Sequence, residues 1–359
     1  MTSLPKCNEK MATASGDADA APADIANYRS EIDAYGFRRP DDFDYETYEE
    51  FMSRYLSVMA RRASKWTQLM GGNHNKAIKK SRKVKRYIRK GIPSEHRGLV
   101  WMYVSGAERA KQENPGLYQR LLDGPKDEQL LETIKTDLHR TFPENIYYAN
   151  DASPSKRSEL ENVLVAYGHH NPSVGYCQGL NFIVAIMLLV LKDEESSFFL
   201  LDVLLARIVP EYYTSQLTGL KVDQEVLGEL VKQKMPQIAA HMAKESVPWS
   251  IPTTKWFICL FLDVLPIETV LRIWDCLFYE GSKVLFRVCI YLVKHNSETV
   301  LKAENFPLLV EAYKKIVQSS QNVDCHTFMQ NVFLESQPMS RANIEKLRVV
   351  CRQRLEQGL

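Results

Sequence analysis

Apolar residues recur every three to four positions through most of the chain beyond Gly91, a spacing that places them on one face of a helix. One such segment follows Asp127, a residue suited to cap a helix, and carries Leu131, Ile134 and Leu138 on one side. No run alternates apolar and polar residues over the length of a strand, and no Asn-Gly or Asp-Gly turn joins two such runs. The pattern predicts an all-α fold.

Helix boundaries can be predicted in the same way. A capping box that starts at Ser158 predicts a helix that ends at Gly168. The clearest amphipathic segment begins at Pro266 and stops at Gly281. Ser282 can cap the next helix, and we expect further helices to Leu359.

Length and composition are those of a globular protein. The 359 residues are 45% hydrophobic and 25% charged. Because the formal net charge is only +2, the overall charge gives no reason to expect binding to nucleic acid or to an anionic membrane. The longest apolar run, Phe182 to Leu191, is about half of the roughly 20 residues that a bilayer helix needs. We expect no transmembrane segment, no signal peptide and no lipidation motif. The seven cysteines are scattered, which favours free thiols in a cytoplasmic setting.

The chain before Gly91 differs from the rest. Residues 1–30 hold too little apolar mass to bury and are expected to be a disordered tail. Residues 31–90 are first acidic and aromatic, then strongly basic. The basic run includes Lys79, Lys80, Arg82, Lys83, Lys85 and Arg86. A solvated helical segment leading into the domain, or a partner for the acidic stretch, is favoured over a nucleic-acid patch, and a weak contact with anionic lipid headgroups is an alternative.

Familiar catalytic motifs are absent from the sequence. It contains no G-x-x-x-x-G-K-[ST], G-x-S-x-G or H-E-x-x-H segment, and His169 and His170 have no other metal-ligand type beside them at suitable spacing. Cys325 and His326 are also too few for a metal site, and packing is expected there. We therefore expect no metal, no cofactor and no nucleophile of the chain's own. The remaining possibility is that the chain supplies polar side chains to the active site of another protein.

Two short segments could supply such groups. Arg140 falls opposite the apolar face of its predicted helix, three residues after Asp137, where an ion pair would restrict its rotamers. Gln178 stands between Gly175 and Gly179, so it is expected in a turn that leads into the apolar helix near Asn181. A solvated ion pair and an ordinary turn amide are the plainer interpretations of these residues.

The order of four blocks resembles the signature of TBC-domain proteins over about residues 91–281. The blocks are Gly91-Ile-Pro-Ser-Glu-His-Arg97-Gly-Leu-Val-Trp101, Ile134-x-x-Asp137-x-x-Arg140, Tyr176-Cys-Gln178-Gly179 and Arg272-Ile-Trp274-Asp275. The resemblance implies a two-lobed, all-α domain whose second lobe is completed by residues 282–359. It also implies a protein that is not itself a hydrolase but accelerates GTP hydrolysis by Rab GTPases in vesicle trafficking.

The resemblance further implies a role for each matched residue. Arg140 would be an arginine finger and Gln178 a glutamine finger, both inserted in trans into a GTP-bound Rab that carries the GTP and Mg²⁺. The residues expected to support them are Ile134, Asp137, Tyr176 and Gly179. The residues expected to be structural are Arg97, Trp101, Trp274 and Asp275. The protein would be cytoplasmic or peripheral at endomembranes, and a non-catalytic Rab-binding effector or scaffold is the alternative function.

Overall fold

The computed structural model describes residues 30–71, 78–262, 264–318, 324–336 and 338–358. Within these residues the β-type pairing is limited to two isolated bridges, Ile32 with Arg38 and Phe37 with Asn145. The all-α prediction is confirmed. The tail predicted for residues 1–30 lies, except for Ser30, outside the described residues. No described helix is long and apolar enough to cross a membrane.

Eighteen α-helices and one π-helical turn, Leu204–Ile208, are found in the described part of the chain. The helices are α1 Tyr45–Met70, α2 Arg82–Lys90, α3 Ser94–Ser105, α4 Ala107–Glu113, α5 Leu117–Asp123, α6 Glu128–Leu138, α7 Arg157–His170, α8 Leu180–Leu191, α9 Glu194–Val203, α10 Thr218–Lys234, α11 Pro236–Lys244, α12 Ser250–Ile258, α13 Ile267–Glu280, α14 Lys283–His295, α15 Ser297–Leu301, α16 Phe306–Gln318, α17 Cys325–Glu335 and α18 Arg341–Glu356.

Two predicted helix boundaries agree with the structure. The side chain of Asp127 accepts hydrogen bonds from the backbone of Gln129 and Leu130 and caps α6. Helix α13 follows Pro266 and ends at Gly281, whose φ of 80° is favourable for glycine. In both helices the residues that predict the boundary lie directly beside it in the sequence.

Other boundaries were predicted wrongly because tertiary packing decides them. Ser158 lies inside α7, and the helix continues past Gly168 to His170. A Cβ on Gly168 would lie 2.5 Å from Leu130 Cδ2, so this glycine allows α6 to approach α7 closely instead of ending the helix. Ser282 precedes α14 as predicted, but its hydroxyl accepts a hydrogen bond from Arg348 instead of capping the helix.

The helices form two groups, in agreement with the two-lobed prediction. Helices α3–α9 pack on one another, and α10–α18 form the second group. Helix α13 of the second group packs on α3 of the first and on the π-helical turn. Most of the buried apolar residues form one continuous core that runs through both groups.

The acidic and aromatic segment before α1 packs on the first group. The ring of Phe37 lies edge-on to Phe142 at 5.0 Å between centroids, and Asn145 Nδ2 donates to the backbone oxygen of Tyr35 over 2.9 Å. Arg97 donates a further hydrogen bond to the Tyr35 hydroxyl. The segment therefore covers the side of the domain where α6 ends.

The basic run forms a helix whose acidic partner is distant in sequence. Val84 and Ile88 bury one side of α2, as expected for a helical segment leading into the domain. Arg89 Nε lies 2.6 Å from Glu280 Oε1 at the end of α13. Arg89 thus pairs with an acidic residue that lies outside the preceding acidic stretch.

A buried ion pair joins the two groups of helices. The Asp275 carboxylate of α13 accepts hydrogen bonds from Arg97 Nε over 2.9 Å and from Trp101 Nε1 over 2.8 Å, both on α3. The backbone NH of Ile92 adds a third donor at 3.3 Å. Trp274 is also fully buried, and its indole NH donates to the backbone oxygen of Leu260. A buried carboxylate needs such donors to offset its lost hydration.

We expect Asp275→Asn to destabilise the protein strongly. The substitution keeps the shape of the side chain but leaves the buried guanidinium of Arg97 without its counter-ion. The free energy of unfolding should fall by about 3–5 kcal/mol. Urea denaturation measures this loss.

Glu113→Gln is the matched control, because it breaks the solvent-exposed pair with Arg109 and should leave stability close to wild type. Equal stabilities of Asp275→Asn and wild type would show that the pair contributes nothing net.

A histidine at the start of α17 contacts α1. Arg62 Nη2 lies 2.7 Å from His326 Nδ1, and because a guanidinium has only donors, Nδ1 must be the acceptor. Burial, together with the positive charges of Arg62 and Arg272, lowers the pKa of His326 to about 4. The neighbouring Cys325 is buried, so packing is the role observed for this pair.

The lowered pKa of His326 predicts a pH-dependent stability. Between about pH 6.5 and pH 4 the unfolded chain binds a proton at this histidine that the folded chain does not, so stability should fall as the pH is lowered through that window. Urea midpoints measured from pH 7 to about 4.5 should decline less in His326→Asn, which keeps an acceptor for Arg62. Identical declines in the two proteins would contradict the assignment.

Candidate functional site

Arg140 lies just beyond α6, in a turn that begins after Leu138. The sequence predicted Arg140 in the last turn of this helix, but α6 ends two residues earlier, at Leu138. Ile134 of α6 is fully buried, and the Arg140 side chain is 47% exposed. The helix thus buries its apolar side, and the turn that follows it leaves the guanidinium open to solvent.

The Asp137 carboxylate holds this arginine and a tyrosine at the same time. Oδ1 accepts from Arg140 Nε over 2.8 Å, and Oδ2 accepts from the Tyr176 hydroxyl over 2.6 Å. Asp137 is only 4% exposed. Burial raises the pKa of Tyr176, and the hydrogen bond to Asp137 raises it further, so the phenol stays a neutral donor. The predicted ion pair between Arg140 and Asp137 is present in the structure.

Gln178 occupies the turn between α7 and α8, and its side chain is exposed. The neighbouring Gly179 has a φ of 111°, a conformation that other residues rarely adopt. A Cβ on Gly179 would also lie 3.4 Å from the backbone oxygen of Ile258. Both constraints fix the backbone directly after Gln178, and α8 begins at Leu180 as the sequence predicted.

The two segments face the same open cavity of about 370 Å³. Its lining residues are Glu132, Thr133, Thr136, Asp137, Arg140, Tyr176 and Gln178. We call it the Arg140–Gln178 cavity. The structure thus brings together an exposed guanidinium and an exposed carboxamide from segments 38 residues apart, by the difference of their numbers.

A buried network joins the two segments behind this cavity. Thr141 Oγ1 donates to the backbone oxygen of Asp137 over 2.7 Å and accepts from Asn181 Nδ2 over 2.8 Å. Asn181 Oδ1 in turn accepts from the backbone NH of Gly179 over 3.0 Å. Thr141 and Asn181 are fully buried. The network therefore connects the backbone next to Arg140 with the backbone next to Gln178.

Sequence reasoning did not single out Thr141 and assigned no role to Asn181. One signal was available, because Asn181 is the lone polar residue in the otherwise apolar segment Leu180–Leu191. A buried amide of this kind requires hydrogen-bond partners. One partner, the backbone NH of Gly179, is local, but the other, Thr141, lies 40 positions earlier, and only the folded chain identifies it.

The remaining predicted residues lie away from the cavity. Arg97, Trp101, Trp274 and Asp275 are buried where α3 meets α13, and none lines the cavity. His169 and His170 form the end of α7, and His169 Nδ1 contacts the backbone oxygen of Leu121. Within the described ranges, no group of three metal-ligand side chains is close enough to hold an ion.

Comparison with known proteins identifies relatives over nearly the whole chain. The family model described as the Rab-GTPase-TBC domain matches residues 94–301. The chain is 53% identical over 334 residues to growth hormone-regulated TBC protein 1-A of Danio rerio, with 93% of each chain covered. It is 51% identical over 324 residues to growth hormone-regulated TBC protein 1 of Homo sapiens, covering 90% of this chain and 96% of that protein.

A solved structure supports the same relationship. The Chlamydomonas flagellar RabGAP TBC domain is 30% identical and superposes with a TM-score of 0.72, covering 85% of this chain and 99% of that chain. The family match extends past Gly281 into α14 and α15. On this sequence and structural similarity, the chain belongs to the Rab-GTPase-TBC domain family.

Proposed function

We propose that this protein accelerates GTP hydrolysis by Rab GTPases and that it does so by supplying Arg140 and Gln178 to the nucleotide of the bound GTPase. Membership of the Rab-GTPase-TBC domain family supports the activity. The observation that carries the mechanism is the Arg140–Gln178 cavity, where both side chains are exposed and face one space. In this proposal the Rab carries the GTP and Mg²⁺, and the chain contributes polar groups only.

The arginine is suited to stabilise developing charge. Its Nε and Nη2 contact Asp137 Oδ1, at 2.8 and 2.5 Å, which leaves the donors of Nη1 for phosphoryl oxygens. Because Asp137 is itself held by Tyr176, the guanidinium approaches the nucleotide already oriented. Phosphoryl transfer is accelerated mainly by such positioning and by electrostatic stabilisation.

The glutamine is suited to orient water. A carboxamide offers both an acceptor and donors, so it can hold a water molecule by one group and a phosphoryl oxygen by the other. The strained backbone at Gly179 and the bond from its NH to Asn181 hold the turn that presents this side chain. Gln178 would then position the attacking water for in-line displacement of the γ-phosphoryl group.

Magnitudes favour a catalytic arginine over a merely solvated one. An arginine finger raises the rate about 10³- to 10⁵-fold, which corresponds to about 4–7 kcal/mol of transition-state stabilisation. An exposed ion pair contributes about 0–1 kcal/mol to folding. A role at the nucleotide would account for the two contacts through which Asp137 and Tyr176 hold this half-exposed guanidinium.

We expect Arg140→Lys to abolish the stimulated hydrolysis while leaving the fold intact. Lysine keeps the charge but loses the planar fork, so the rate should fall by about 10³-fold or more. Gln178→Ala should also lose stimulation, since no carboxamide remains to orient water. Phosphate release from GTP-loaded Rabs under single-turnover conditions measures both effects.

The control is Arg109→Lys, which makes the same substitution at an arginine of a solvent-exposed ion pair on α4, outside the cavity. Wild-type rates for Arg140→Lys would refute the arginine assignment. If the wild-type protein bound GTP-loaded Rabs but accelerated GTP hydrolysis by none of the Rabs tested, it would instead be the non-catalytic effector.

The buried network predicts a role for Thr141 in positioning. Thr141→Val removes the hydroxyl that joins Asp137 to Asn181, at nearly constant volume. We expect the stimulated rate to fall by about tenfold to a hundredfold while the affinity for the GTP-loaded Rab changes little, because only the relative placement of the two side chains is altered. Single-turnover titrations separate the two quantities.

Thr67→Val serves as the control, since that hydroxyl makes the same kind of bond to the backbone four residues earlier in α1. A parallel loss of rate in both variants would assign the effect to general destabilisation.

A further inference from the structure

The acidic and aromatic segment before α1 folds back on itself as a small hairpin. Ile32 and Arg38 form an antiparallel bridge, and Asp33 Oδ1 closes the turn between them by accepting from two backbone NH groups, at 2.8 and 2.9 Å. We call residues 31–39 the N-terminal hairpin. The match to the family model begins at residue 94, so the hairpin precedes the part of the chain that defines the family.

The hairpin docks on the turn that carries Arg140. We call residues 139–146, which follow α6, the Arg140 turn. The backbone NH of Arg38 donates to the oxygen of Glu144 over 3.0 Å, and the backbone NH of Ile146 donates to the oxygen of Gly36 over 2.9 Å. Hydrogen bonds in both directions fix the position of the turn relative to the hairpin.

Three phenylalanine rings extend this contact to the glutamine side of the cavity. The ring of Phe142 lies edge-on to two others, with centroid distances of 5.0 Å to Phe37 and 5.1 Å to Phe182. Phe142 is the second residue after Arg140, and Phe182 lies in the first turn of α8, four residues after Gln178. The rings therefore connect the hairpin with both segments that line the Arg140–Gln178 cavity.

The hairpin is itself anchored where the two groups of helices meet. The hydroxyl of Tyr35 accepts a hydrogen bond from Arg97, the arginine that pairs with Asp275. The backbone oxygen of the same tyrosine accepts from Asn145 Nδ2 of the Arg140 turn over 2.9 Å. One hairpin residue thus links the buried ion pair of the scaffold to the Arg140 turn.

The backbone of the Arg140 turn requires such support. Phe142 has a φ of 46°, in the left-handed region that residues other than glycine rarely adopt. It also precedes Pro143, and a residue before proline favours an extended backbone. A strained residue keeps its conformation only while the contacts around it hold it there. The ring of Phe37 and the backbone bonds of the hairpin are among those contacts.

We propose that the N-terminal hairpin is a positioning element for Arg140, and that Phe37 is the residue through which it acts. The inference rests on the proposed function of Arg140. By holding the strained Arg140 turn, the hairpin places the guanidinium where charge develops on the nucleotide of the bound GTPase. The residues that line the cavity come from other segments, so the hairpin contributes to the hydrolysis step and not to ground-state binding.

The test compares full-length wild-type protein with Phe37→Ala on one Rab in two loaded states. GDP with aluminium fluoride mimics the transition state, and a non-hydrolysable GTP analogue represents the ground state. We expect the single-turnover rate at saturating protein and the affinity for the aluminium fluoride state each to fall by about tenfold or more. The affinity for the GTP-analogue state should change by less than about twofold.

Two further variants separate positioning from a loss of folding. Phe37→Leu keeps an apolar side chain against Phe142 and should retain most of the rate. Asp33→Ala removes the acceptor that closes the hairpin, leaves the Arg140 turn unaltered, and should weaken binding of the aluminium fluoride state alone.

Phe43→Ala is the matched control. Phe43 is a second half-buried phenylalanine of the same segment, and its ring lies edge-on to Tyr48 of α1 at 5.3 Å between centroids. The variant should keep the rate and both affinities. The same loss of rate in Phe43→Ala as in Phe37→Ala would overturn the inference, and so would an equal loss of affinity for the two loaded states in Phe37→Ala.

The outcome for Arg140→Lys distinguishes this inference from the proposed function. Full activity of Phe37→Ala beside an inactive Arg140→Lys would reject the hairpin as a positioning element and leave the arginine assignment in place. Wild-type activity of Arg140→Lys would reject both.

Discussion

The buried carboxylate of Asp275 is the contact on which the arrangement of the two helix groups depends. It lies in α13, and its donors come from α3 and from the backbone before α3. A charge in this position is tolerated only while its donors remain in place, so the angle between α3 and α13 cannot change freely. Helix α3 also packs on α8, whose first turn follows Gln178. The pair thus anchors the scaffold that carries the Arg140–Gln178 cavity.

Within that scaffold, the cavity is organised by a second buried carboxylate. Asp137 takes one hydrogen bond from Tyr176 and an ion pair from Arg140, and its backbone oxygen accepts from Thr141. In a low-dielectric interior these bonds are strong and leave little freedom to the groups that make them. In the proposed function, groups that are oriented before the GTPase binds need little rearrangement during the reaction, and most of the benefit of electrostatic catalysis arises from this.

Positively charged side chains occur in two different arrangements in this protein. Arg140 has one acidic partner and stays half exposed, so a single cation is offered in a defined orientation. At the end of α13, by contrast, the single carboxylate of Glu280 lies within ion-pair distance of Lys85, Arg89 and Lys283, and burial with neighbouring positive charge lowers the pKa of Lys283. The first arrangement suits charge that develops briefly in a transition state.

The sequence alone predicts the helical class, the start of α6, both limits of α13 and the pairing of Asp137 with Arg140, because periodicity, caps and i, i+3 contacts act within a few residues. Its four ordered blocks also pointed to the right family. The packing of the folded chain explains why α7 continues through Gly168, why Thr141 meets Asn181 and why Glu280 is a partner of Arg89. These contacts join residues 38 to 191 positions apart, and local spacing carries no information about which distant surfaces will pack together.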